Sequence, residues 1–196
     1  GSGVGVDRNG YAEIWNNSIT YNSYGISGAN HASFDATGNN LSYCNYGIYP
    51  RLCNFTMRYN SLYANNYGLY SYDANGTIEH NEVVNSGTVG LYIIQMSYYS
   101  QINIKNNNIT YTAIRYSWAS LWAAGVYFVS WTTSYPNYCL MEGNNISYSN
   151  DTGAYFSGAK VSMRNNVISH SAFKLNLGAL TPATTPPGVY VSGCKD

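Results

Sequence analysis

The stretch NNSITYNSYGI, residues 16–26, decides how this chain is read. It returns as NNLSYCNYGIY (39–49), NSLYANNYGLY (60–70) and NEVVNSGTVGLY (81–92). Further copies follow at 107–111, 144–155 and 166–169. In every copy an Asn stands two residues ahead of an aliphatic side chain: Asn17, Asn39, Asn60, Asn81, Asn107, Asn144 and Asn166. The steps between them are 22, 21, 21, 26, 37 and 22 residues, a basic unit of 21–22 with two enlarged coils.

Other rows keep the same beat. Gly25, Gly47, Gly68, Gly90, Gly125, Gly153 and Gly188 are each followed by an apolar residue, in order Ile26, Ile48, Leu69, Leu91, Val126, Ala154 and Val189. Tyr comes next in six of the seven copies (Tyr49, Tyr70, Tyr92, Tyr127, Tyr155, Tyr190), with Ser27 in the first. Three residues before each Asn lies another apolar row, Ile14, Ala36, Met57, Ile78, Ile104, Met141 and Met163. Two further back runs Ala12, Phe34, Phe55, Gly76, Ile102, Cys139 and Val161. A step of two sends alternate side chains to opposite faces, as in a strand. Each unit therefore holds three short strands separated by turns of Asn, Gly and Ser.

One such unit cannot bury its own apolar face, but stacked units bury a continuous core. The expected fold is all-β: a single-domain parallel β-helix of about seven coils spanning residues 1–196, with insertions near 93–101, 111–138 and 176–187. Asn suits the fixed turn position because it tolerates the left-handed backbone and its amide bonds to the Asn above and below. Tyr49, Tyr70 and Tyr92 are expected to point outward and to pair along the sheet.

The pattern N-x-[ILV]…G-[ILV]-Y resembles the repeats of right-handed parallel β-helix proteins, the pectin-lyase-like superfamily and especially its periplasmic NosD-type branch. The resemblance covers about residues 11–192 and implies the right hand of the coil. It implies little about activity, since that fold hosts lyases, hydrolases, adhesins and structural proteins.

Charged residues are only 9% of the chain and the formal net charge is zero. Nine scattered Lys and Arg make no patch for nucleic acid. No apolar run reaches membrane-spanning length. The start, GSGVGVDRNG, reads as a mature or trimmed end. Sequons of the form N-x-[ST] stand at Asn16, Asn40, Asn54, Asn75, Asn108, Asn145 and Asn150. At Asn40, Asn108 and Asn145, alternation sends the Asn and its partner hydroxyl outward together, so N-glycosylation is expected. Cys44, Cys53, Cys139 and Cys194 lack CxxC spacing, and His31, His80 and His170 lack zinc spacing, so neither a metal nor a cofactor is expected. Cys44 and Cys53 form the candidate local disulfide and Cys139 and Cys194 a second; the alternative is four buried thiols.

The superfamily's enzymes resemble this fold but rely on clustered Asp, with Ca²⁺ and an Arg base in the lyases. Here Glu13 and Asp35 fall on neighbouring coils, and Glu79 and Glu82 flank Asn81. Neither pair matches a family motif, so no catalytic residue is assigned and enzymatic activity is not expected. The insertions gather Trp118, Trp122, Trp131 and Tyr135, with Tyr98 and Tyr99. Three roles are open to these aromatics: a satellite core beneath loops, an interface with another subunit, or a sugar-stacking site. No amphipathic cap precedes Val4 or follows GVYVSG, which suggests either head-to-tail stacking or a piece of a longer β-helix. The leading expectation is an extracellular or cell-surface structural protein, glycosylated and self-associating into a filament or surface layer. The alternative is a carbohydrate-binding or carbohydrate-processing β-helix, and the resemblance alone implies a third reading, a NosD-like periplasmic accessory role.

Overall fold

The computed structural model describes residues 1–96, 100–113, 123–131, 137–171 and 188–192. All regular structure in these residues is strand, 22 strands in three parallel sheets. Sheet A stacks β1 (Ser2–Val6), β4 (Tyr24–Gly28), β7 (Tyr46–Pro50), β10 (Tyr67–Tyr72), β13 (Val89–Gln95), β16 (Ala124–Ser130), β19 (Thr152–Ser157) and β22 (Val189–Ser192). Sheet B stacks β2 (Tyr11–Trp15), β5 (Ser33–Thr37), β8 (Asn54–Arg58), β11 (Asn75–Glu79), β14 (Gln101–Lys105), β17 (Tyr138–Glu142) and β20 (Lys160–Arg164). Sheet C stacks β3 (Ser18–Thr20), β6 (Asn40–Ser42), β9 (Ser61–Tyr63), β12 (Glu82–Val84), β15 (Asn108–Thr110), β18 (Asn145–Ser147) and β21 (Val167–Ser169). Every third strand in sequence is a neighbour in space. That is a right-handed parallel β-helix of about seven coils, the hand that parallel crossovers adopt.

The apolar rows read from the sequence are the core. Ile26, Ile48, Leu69, Leu91, Val126 and Ala154 follow one another in register inside sheet A. Ile14, Ala36, Met57, Ile78, Ile104 and Met141 do so in sheet B. Ile19, Leu41, Leu62, Val83, Ile109 and Ile146 do so in sheet C. All are buried. Gly precedes the aliphatic in sheet A because the corner is too tight for a side chain. A Cβ on Gly68 would lie 2.5 Å from Val83 Cγ1 and 2.6 Å from the Gly90 carbonyl oxygen.

The Asn row turns sheet B into sheet C. Each Asn from Asn17 to Asn144 donates its backbone N–H and its Nδ2–H to Oδ1 of the Asn one coil on, at 2.8–3.0 Å throughout. Each Nδ2 from Asn39 onward also donates to a carbonyl of the preceding coil, as Asn81 does to Met57 O at 3.0 Å. The buried amides of this row, Asn39, Asn60, Asn81, Asn107 and Asn144, are thus paired coil after coil, as their desolvation requires. One expectation needs correcting. The left-handed conformation falls on the residue before the ladder Asn: Asn16, Gly38, Tyr59, His80, Asn106, Gly143 and Asn165. The ladder Asn is selected for its amide alone.

Outside sheet A the Tyr side chains stack as expected. Tyr92, Tyr127, Tyr155 and Tyr190 have ring centroids 4.6–5.0 Å apart with planes within 9°. Tyr24, Tyr46 and Tyr67 form a second stack beside Tyr49 and Tyr70. Tyr127 is buried with Val89, Ala124 and Val129 in an outer apolar cluster.

Candidate functional site

The outer face of sheet B carries the polar side chains that alternate with the core rows. One row runs Tyr11, Ser33, Asn54, Asn75, with Gln101 next, its N–H bonded to Asn75 Oδ1 at 2.8 Å. The second runs Glu13, Asp35, Thr56, Thr77, Asn103. Between them lies a shallow open groove of about 510 Å³, lined from Tyr11 at one end to Gln101 and Asn103 at the other. Adjacent coils stand about 4.8 Å apart, so the groove presents an amide or hydroxyl at each such step. No Lys or Arg lines it. A third row, Arg58, Glu79, Lys105, Glu142, Arg164, alternates in charge beside it and is tied by Arg58–Glu79 at 3.6 Å and Arg164–Glu142 at 2.9 Å.

At the Tyr11 end the structure brings together the first carboxylate pair read from the sequence. The Tyr11 hydroxyl shares its one proton between Glu13 Oε1 at 3.0 Å and Asp35 Oδ2 at 3.2 Å. The hydrogen bond to Glu13, with burial and Asp35 adding to it, pushes the phenol up to about 12. Tyr11 therefore remains a donor across the physiological range. The other pair is not brought together: Glu79 faces Arg58 on sheet B, while Glu82 lies on sheet C.

Amides and hydroxyls in the groove are under-used by the protein itself. Asn75 spends only its oxygen, on Gln101 N–H, and Gln101 Nε2 donates weakly to Asn103 Oδ1 at 3.3 Å. Asn54, Thr56 and Thr77 make no side-chain hydrogen bond among the described residues. Sequence reasoning named Asn54 and Asn75 only as sequons and passed over Tyr11, Thr56, Thr77, Gln101 and Asn103. The available signal was the period-two alternation on either side of Phe55 and Gly76.

The expected sequons are exposed at Asn16, Asn40, Asn54, Asn75, Asn108 and Asn145, and half-buried at Asn150. Two features differ from expectation. Ser42 and Ser147 are buried rather than outward, because β6 and β18 end at those residues and the left-handed Tyr43 and Tyr148 turn the chain there. The Asn145 and Asn150 side-chain nitrogens are already engaged, with Asn108 Oδ1 at 2.9 Å and Ala113 O at 3.2 Å.

The Cys44–Cys53 disulfide is not formed. Cys44, Cys53 and Cys139 are free and buried. Cys44 precedes and Cys53 follows the five-residue strand β7, about 17 Å long, whereas bridged Cα atoms lie within about 7 Å. Burial raises all three thiols, Cys53 to about 12. Cys194 lies outside the described residues, as do Trp118, Trp122, Tyr135, Tyr98 and Tyr99. Trp131 is 62% exposed just after β16, bonded through its backbone N–H to Gln95 O, and does not line the groove. The three His lie on separate coils, with His80 stacked on Tyr59 and His170 on Tyr148. Among the described residues no helix is long and apolar enough to cross a membrane.

The fold and its interior ladders define the class: a right-handed parallel β-helix, here with a polar groove on the outer face of sheet B. The family model described as periplasmic copper-binding protein (NosD) matches residues 1–121, more than half the chain, and the chain belongs to that family. The family's description is periplasmic, an extracytoplasmic setting. No curated protein and no solved structure matches the chain.

Proposed function

We propose that the chain is an extracytoplasmic β-helix that holds a neutral oligosaccharide along the outer face of sheet B, without cleaving it. The observation that carries this reading is the run of under-used amides and hydroxyls, Asn54, Thr56, Asn75 and Thr77, repeating with the coil between Tyr11 and Gln101. A pyranose chain offers hydroxyls at a comparable repeat. Each contact would replace a bond to water, so a long shallow groove gains specificity from their number rather than from any one. The lack of Lys or Arg in the lining, with Asp35 present, disfavours polyanionic glycans. Binding without turnover is favoured because Glu13 and Asp35 are both held by one phenol. Asn40 and Asn108, exposed on sheet C, suit glycan attachment.

Copper, in the family's description, does not fit the described residues. They contain no group of three or more His, Cys, Asp or Glu. Met57 and Met141 face the dry core, and the buried thiols are held protonated, whereas copper needs converging thiolate, thioether or imidazole donors. No role is therefore routed through copper.

A self-associating structural rod is the second reading. Tyr21, Tyr43 and Tyr63, exposed and in ring contact along one corner of the rod, offer an aromatic ridge that a second copy would cover. Electron microscopy of concentrated protein separates the readings: filaments favour the rod, dispersed particles the binder. For the groove, a glycan array probed with unglycosylated protein is the test. Binding to neutral oligosaccharides that Asn75→Ala weakens supports the reading, and no binding to any glycan rejects it.

A further inference from the structure

Two of the groove's central amides are also sequon acceptors. Asn54-Phe55-Thr56 and Asn75-Gly76-Thr77 lie on β8 and β11 with Asn54 and Asn75 in direct register. Both Asn are exposed and both line the groove. Their side-chain nitrogens are uncommitted, since Asn75 uses only its oxygen. By contrast, Asn145 and Asn150 would have to give up an existing hydrogen bond of the acceptor nitrogen. From this juxtaposition we infer that an N-glycan on Asn54 or Asn75 occupies the chain's own groove and closes it to other oligosaccharides. The inference rests on the groove reading above and adds its regulation.

The chemistry needs one co-reactant, a polyprenyl-diphosphate-linked oligosaccharide, supplied with its transferase by the secreting cell. The Asn Nδ2 attacks C1 of the reducing-end sugar. The N–C1 bond forms, the C1–O bond to the diphosphate breaks, the diphosphate leaves with that electron pair, and Nδ2 gives up one proton. The product carries its first sugar directly above the two rows that would bind a free one. With a groove of about 510 Å³, the attached sugars and a free oligosaccharide compete for the same wall. Glycans on Asn40 or Asn108 stand on sheet C and leave sheet B open.

The test compares the full chain made in an N-glycosylating secretory host with the same chain from a host lacking the machinery. Peptide mass spectrometry reads occupancy at each sequon. Titration calorimetry with cellopentaose, or with the best neutral glycan from the array, reads the groove. Expected are a glycan at Asn54 or Asn75 and binding at least tenfold weaker in the glycosylated fraction. The secreted Asn40→Gln/Asn108→Gln chain is the control: with its sheet C glycans removed it should stay closed. No glycan at either Asn54 or Asn75 in the secreted protein overturns the inference, as does equal binding by occupied and unoccupied fractions. Failure of the unglycosylated chain to bind any array glycan instead rejects the groove reading itself, and with it the closure.

Discussion

Replacing Asn60 by Ala should cost far more than its single lost side chain suggests. Asn60 is 1% exposed at the middle of the ladder. Its Oδ1 accepts from Asn39 N–H and Asn39 Nδ2, at 2.9 and 3.0 Å, and its Nδ2 donates to Ala36 O at 2.9 Å. Asn39 Nδ2 keeps Ile14 O and Thr37 O as partners. The Asn39 N–H loses its partner and the Ala36 carbonyl loses a donor, each buried, at about 1–3 kcal/mol apiece. The sum is roughly 2–6 kcal/mol, against a total stability of about 5–15 kcal/mol. Asn17 is the internal control. It is exposed, nothing on the ladder donates to its oxygen, and Asn39 Oδ1 keeps the Asn17 backbone N–H when the side chain is removed. Asn17→Ala should cost no more than about 1 kcal/mol. Urea unfolding followed by circular dichroism and by tyrosine fluorescence measures both, with coincident curves required before a free energy is taken. At an m-value of about 2 kcal/mol/M, Asn60→Ala lowers the midpoint by roughly 1–3 M. Equal midpoints for the two variants would refute the ladder as a buried, cooperative device.

Gly68→Ala drives a methyl into the Gly90 carbonyl and Val83, and should destabilise the native state by about 1–3 kcal/mol in the same assay. Met57→Ala opens the core between Ala36 and Ile78 and should cost about 2–5 kcal/mol; a change below 1 kcal/mol would mean the coil collapses around the gap. The alkaline limb has a definite sign. Burial raises Cys44, Cys53, Cys139, Tyr49, Tyr70, Tyr92 and Tyr127 in the folded chain, while the unfolded chain titrates these groups from about pH 8.5 to 10. The folded state therefore holds protons that the unfolded state has lost. Stability from these groups is complete below about pH 8.5 and falls as pH climbs through the folded values, near 12 for Cys53. A urea midpoint that rises between pH 9 and 11 would contradict this. The same burial predicts that Cys44, Cys53 and Cys139 resist Ellman's reagent in the native protein and react once it is unfolded; rapid native labelling would oppose it.

What was legible in the sequence follows from where repetition is enforced. An interior row must pack against the same row above and below, so Ile19, Leu41, Leu62 and Val83 stay aliphatic and Asn39, Asn60 and Asn81 stay Asn. Those rows yield the strands, the register and the core by inspection. An outward row has no such obligation. Tyr11, Ser33, Asn54, Asn75 and Gln101 share a position but not a chemistry, so the groove does not announce itself as a motif. The Cys44–Cys53 pairing failed for a related reason: nine residues look close in sequence, but an extended strand lies between them. The left-handed turn residue was misplaced by one because Asn16, Asn106 and Asn165 stand directly before ladder Asn, whereas Tyr59 and His80 fill the same position in other coils.

Whether the outer face of sheet B holds a neutral glycan is decided by chemical-shift mapping of the unglycosylated protein with a neutral pentasaccharide titrated in. Saturable shifts are expected at Asn54, Thr56, Asn75, Thr77 and Gln101, with Asn40, Asn108 and Asn145 on sheet C unmoved. Shifts confined to sheet C or to the tyrosine face of sheet A, or no saturable shift, would rule the groove out.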